Sequence, residues 1–217
     1  FVTGVPGAGK TLAGLNIANE RLKVDEQEHS VFLSGNGPLV KVLREALARD
    51  EVDKAKSSGR KLTKKVAISK ASTFIQNIHH FRDDALTVLS APIEKVVVFD
   101  EAQRAWTHEQ TASFMQRKKG VPDFEMSEPE FLISVMDRHT DWAVIICLVG
   151  GGQEINTGEA GLPEWFSSIK RNYPNWLVYA SNSLSDYEYT RGKEFSELIN
   201  SIQFFNENNL HLSVSVR

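Results

Sequence analysis

The octet Gly4-Val5-Pro6-Gly7-Ala8-Gly9-Lys10-Thr11 reads G-x-x-x-x-G-K-T without a mismatch, and it constrains this chain more than any other stretch. The pattern is that of a phosphate-binding loop, the Walker A motif. Phosphate oxygens need several donors close together, and glycines at 4, 7 and 9 let the backbone approach them with no Cβ in the way. Pro6 and Ala8 complete the loop, Lys10 adds a cation, and Thr11 offers a hydroxyl to a magnesium ion. The apolar run at 12–17 predicts a helix whose N-terminal dipole favours the same anion. Residues 1–3 then read as the end of the strand that delivers the loop.

Composition narrows the class. With 217 residues, 41% hydrophobic and 24% charged, the chain suits one sizeable α/β domain. A net charge of -3 gives no global basic footprint, so a polynucleotide partner needs a local groove. The single cysteine, Cys147, sits in the apolar run 144–149; it has no internal disulfide partner and reads as a small packed hydrophobe. A reducing, cytoplasmic setting fits. No apolar run approaches about 18 residues, so no membrane span is predicted.

Along the chain, a strand is expected at 30–33, a loop at 34–38 and a helix from 39–47. Between 49 and 65 basic residues crowd (Lys54, Lys56, Arg60, Lys61, Lys64, Lys65) and apolar ones thin out. This reads as a solvated surface excursion, with a basic edge facing a phosphate backbone as the sharper alternative. A third strand is expected at 66–69 and a helix over 73–81 carrying His79 and His80. Adjacent helical histidines point to different sides, which suits packing or polar contacts and not a metal pair.

The run 95–99 is β-branched and reads as a strand buried on both faces, ending in Asp100-Glu101-Ala102-Gln103. Carboxylates at the C-terminal end of such a strand enter the crevice where open α/β sheets bind ligands. Asp100 is suited to hold Mg²⁺ alongside Thr11, and Glu101 to polarise an attacking water. An acidic helix cap would read the same way in isolation; the upstream phosphate loop favours the catalytic reading. A helix is expected over 128–139 and a second central strand over 142–149, leaving through Gly150-Gly151-Gly152-Gln153. Gln153 is there placed to sense a γ-phosphate and position water, with a solvated loop glutamine as the plainer alternative. A helix at 162–169, a strand at 176–180, a helix at 195–202 and a strand at 211–216 continue the alternation; Glu159, in a polar loop, acquires no role from spacing.

Ser34-Gly35-Asn36, the stretch 77–81, the stretch 100–106, and Gly152-Gln153-Glu154-Ile155 with Gly158-Glu159 resemble the bacterial Schlafen group 3-like DNA/RNA helicase domains, relatives of superfamily 1 helicases. The resemblance implies a three-layer RecA-like domain with a largely parallel sheet. It implies a hydrolase that binds ATP with Mg²⁺ and uses turnover to move on, or remodel, single-stranded DNA or RNA. It also makes Asn36 and His79 candidates for polynucleotide contact. Superfamily 1 motors take γ-phosphate arginines from a second RecA-like domain, and the stretch 214–217 resembles the strand carrying the first of them. The chain is therefore expected to be a single RecA-like domain from a longer protein with further domains at both ends, and to hydrolyse ATP slowly by itself. One departure stands out: Gly151 occupies the place where helicases usually carry Asp, which bears on coupling to nucleic acid. The competing class is a nucleotide-dependent switch or signalling ATPase, for example in a defence system. A phosphate-loop kinase would need an arginine-rich lid, and the sequence after Gln153 offers none.

Overall fold

Alternate residues of the two most buried strands face opposite ways, and this builds three layers. The computed structural model describes residues 1–24, 29–151, 158–190 and 194–215. Its strands are β1 (Thr3–Gly4), β2 (His29–Ser34), β3 (Ile75–Asn77), β4 (Glu94–Phe99), β5 (Val144–Cys147), β6 (Leu177–Ala180), β7 (Gln203–Asn206) and β8 (His211–Leu212). Its helices are α1 (Lys10–Val24), α2 (Gly37–Ser57), α3 (Lys64–Phe74), α4 (Ile78–Thr87), α5 (His108–Phe114), α6 (Glu128–Met136), α7 (Gly161–Asn172), α8 (Tyr187–Thr190) and α9 (Phe195–Ile199). Phe32, Val98 and Leu148 pack with Leu15 and Ala18 of α1, Val40 of α2, and Ala71 and Phe74 of α3. Val31, Leu33, Val97 and Phe99 point the other way, into a core shared with α4, α6 and α7. The expected three-layer α/β architecture is met.

Among the described residues all the paired strands run parallel. The central order is β3-β2-β4-β5. On the far side of β5, Val2 bridges Leu148: its N–H donates to the Cys147 carbonyl at 2.8 Å, and the Val149 N–H donates to its carbonyl at 2.8 Å. β1 then pairs with β8, and β6 with β7. Thus β5 lies between the strand that feeds the phosphate-loop motif and β4, which carries the acidic pair.

The sequence expectations for 49–81 need correction. Residues 66–69 are helical: Ala67, Ala71 and Phe74 are buried at helical spacing, and the Thr63 side chain caps α3 by accepting from Val66 N. A four-residue window is too short to reveal that period. The single helix expected over 73–81 is split by β3, where Ile75–Asn77 pair with Phe32–Ser34 of β2. The Asn77 side chain then caps α4. The surface excursion is mostly α2, which runs to Ser57 with Val40, Ala48 and Ala55 buried. Part of its basic charge is matched, Lys54 by Asp50 and Lys64 by Glu45, which weakens the reading as an edge for phosphates. The late strand expected over 211–216 is limited to His211–Leu212 among the described residues.

α1 crosses the sheet at very close range. A Cβ on Gly14 would lie 2.6 Å from Leu148 Cδ1 and 2.9 Å from Val98 Cγ1. Alanine is the better helix former by about 1 kcal/mol, but overpacking a core costs roughly 1–3 kcal/mol. Gly14→Ala is therefore expected to lower the urea midpoint by a net loss of up to about 2 kcal/mol; a raised midpoint would contradict this packing.

Candidate nucleotide site

The C-terminal ends of β1, β4 and β5 converge. After Gly4 the chain turns through Gly7 and Gly9, both at positive φ (79° and 84°), before Lys10 opens α1. Those angles suit glycine because a Cβ would crowd the backbone. Thr11 is 89 residues from Asp100 in sequence, yet its hydroxyl donates to Asp100 Oδ1 at 3.1 Å. The Lys10 ammonium donates back onto the loop, to Gly4 O at 2.6 Å and Val5 O at 3.2 Å. Burial lowers its pKa, while Glu101, Asp100 and Glu188 pull it upward.

Asp100 is only 3% exposed. Burial first, then the charge of Glu101, pushes its carboxyl up from 3.8 to about 6. Oδ2 is buried without a hydrogen-bond partner among the described residues. An orphaned carboxylate oxygen beside a threonine hydroxyl fits a hard divalent cation such as Mg²⁺, which takes oxygen ligands.

Glu101 adopts φ 54° and ψ 48°, the left-handed region that bulky residues avoid at a cost of order 1–3 kcal/mol. Its neighbours hold it there. Asp100 N donates to Leu33 O and Ala102 N to Leu148 O, both at 2.9 Å. The buried Trp165 indole N–H donates to Ala102 O at 2.9 Å. The carboxylate accepts from Gln103 Nε2, while Gln103 Oε1 accepts from Gly150 N at 3.0 Å. Gln103 thus ties the acidic residue to the loop leaving β5. In the sequence, Gln103 is marked for this role by nothing but its position two residues after Glu101.

Gln153 lies outside the described residues, as do Gly152, Glu154 and Ile155. The flanks of that loop are described, and both are anchored on the stretch 103–107 that follows Glu101. Thr107 N donates to Gly158 O at 2.9 Å, Ala160 N to Ala105 O at 2.7 Å, and Trp106 bridges Glu159.

Asn36 and His79 sit next to the paired ends of β2 and β3, where Ser34 opposes Asn77. The Asn36 side chain caps α2, accepting from Leu39 N at 3.1 Å. The His79 ring packs against Trp106 at 5.1 Å and Phe114 at 5.9 Å, and burial lowers its pKa. His80 is exposed, so the two histidines do diverge. Beneath His79, the buried Arg82 guanidinium lies 4.4 Å from the Phe114 ring centre and 3.6 Å from Glu128 Oε1. Among the described residues no three His, Cys, Asp or Glu side chains form a metal cluster. An apolar groove of about 650 Å³ lies elsewhere, lined by Trp142, Val144, Leu177 and Tyr179 of the β5 and β6 stretches. It offers nothing suited to a polyphosphate.

Residues 1–217 match the family described as Schlafen group 3, DNA/RNA helicase domain. The chain belongs to that family. No curated protein matches it. A solved structure, the Pyrococcus furiosus Hef helicase domain, is similar at 18% identity and a TM-score of 0.43, over 77% of this chain and 32% of that one. This chain therefore spans about a third of the length of the Hef structure. Family membership makes the chain helicase-like. Among the described residues no helix is long and apolar enough to cross a membrane.

Proposed function

We propose that this domain binds ATP with Mg²⁺ and hydrolyses it to drive movement on, or remodelling of, single-stranded DNA or RNA. The observation that carries the reading is the meeting of Thr11 with Asp100 at 3.1 Å, because it unites the glycine-rich turn with the acidic strand end. Lys10 would turn from the loop carbonyls to the β- and γ-phosphates, and the turn's amides would cradle them. Thr11 and Asp100 would hold Mg²⁺, which supplies charge neutralisation at the phosphates. Glu101 would accept a proton from the attacking water, held in line by Gln103. Gln153 is proposed as the γ-phosphate sensor, and Asn36 and His79 as polynucleotide contacts; the packed His79 ring would act by its exposed edge or by moving Trp106.

An arginine supplied to the γ-phosphate is worth roughly 10³–10⁵ in turnover. Residues 1–217 are therefore proposed to bind ATP but turn it over slowly, with the completing arginine coming from another domain. The test is ATP turnover by the full-length protein with and without single-stranded DNA and RNA, using Lys10→Ala as the blank. Stimulation that the blank abolishes is the expected result. Turnover indifferent to every polynucleotide would replace the motor reading with that of a nucleotide-dependent switch.

A further inference from the structure

α8 belongs to none of the three motif loops, yet it reaches the phosphate-loop turn. The Glu188 carboxylate lies against the backbone of Gly151, where an added Cβ would sit 2.6 Å from its Cδ and 2.8 Å from Oε2. The same carboxylate acts on the Lys10 ammonium, along with Glu101 and Asp100. Its neighbour Tyr189 is buried, and the phenol contacts both the Gly4 backbone and Glu188. Backbone bonds from Tyr189 N at 3.0 Å and Thr190 N at 3.3 Å to Asp186 O fix the turn that presents the pair. An anionic side chain therefore stands beside a glycine-rich turn built for anions, while Lys10 is folded back on its own loop.

We propose that Glu188 is a further residue of the nucleotide site, an acidic plug that stands in for phosphate charge near Lys10 and must move aside when a triphosphate enters. The proposal rests on the nucleotide-binding reading above. Two carboxylates already serve that site, and a third whose charge acts on the same ammonium opposes phosphate charge and attracts no ligand of its own. Gly151 gains a physical role here: its missing side chain makes room for the plug. Because the opposition scales with phosphate charge, the plug penalises ATP more than ADP and makes the position of α8 sensitive to the γ-phosphate.

The experiment is a titration of fluorescent ATP and ADP analogues with Mg²⁺ into wild type, Glu188→Gln, Glu188→Ala and Lys10→Ala. Glu45→Gln, on the remote α2, controls for net charge. Both Glu188 variants are expected to tighten ATP about tenfold and ADP about threefold, with the Glu45 variant unchanged. Wild-type binding with unchanged or weakened affinity in Glu188→Gln would overturn the plug and leave the nucleotide reading intact. Absence of binding by wild type and by both Glu188 variants would overturn both.

Discussion

Glu101→Gln is expected to lower ATP turnover by about 10²–10⁴-fold while nucleotide continues to bind, the signature of a lost general base. The substitution preserves size and the capacity to accept from Gln103 Nε2, so the loop between β4 and the bridge to Glu159 keeps its bonds. The left-handed backbone at this position is imposed by Leu33, Leu148 and Trp165, partners that the amide leaves untouched. Single-turnover assays with protein in excess read the chemical step even when hydrolysis is slow. Turnover within tenfold of wild type, at unchanged affinity, would remove Glu101 from the chemistry.

Asp100→Asn is expected to do two opposite things: abolish Mg²⁺-dependent turnover and raise thermal stability. The folded chain holds this carboxyl at about 6, above its ordinary 3.8, chiefly because it is buried. Below about pH 3 it is protonated in both folded and unfolded chains and contributes nothing to the difference. As pH rises through the window from 3.8 to about 6, the unfolded chain ionises freely and the folded one resists, so stability falls. Above that window the penalty is complete, at most roughly 3 kcal/mol. An amide removes it while still accepting from the Thr11 hydroxyl. At pH 8 the variant should melt about 5–10 °C higher, and the gain should vanish by about pH 3. A gain of equal size at both pH values would mean that carboxylate ionisation is not its source. Stability given up for a metal-binding charge is a common exchange at functional sites.

The elements that were legible in the sequence are those whose signal is local. β4 could be read because Val96, Val97 and Val98 form a β-branched run that ends on two carboxylates. The phosphate-loop turn was legible because glycine, lysine and threonine occupy fixed offsets. β3 was not legible: three residues make a strand only because β2 offers them partners, and Asn77 both ends that strand and caps α4. α3 was lost because its buried face, Ala67, Ala71 and Phe74, is mostly alanine and carries little hydrophobic contrast. Gln103 and Glu188 were invisible as site residues for a different reason. Each acts through a contact with the loop leaving β5, and contacts of that range leave no mark on spacing.

Cys147, the chain's only thiol, is 2% exposed on β5, and burial raises its pKa to about 12. Its strand is gripped by Phe99 of β4 on one side and by Val2 on the other. A thiol reagent reaches it only when that strand comes loose, so the labelling rate counts the openings of the strand between the two halves of the site. Whatever spans Thr11 and Asp100 clamps β5 from both flanks, and the sheet thereby carries its own clock for how firmly it is held.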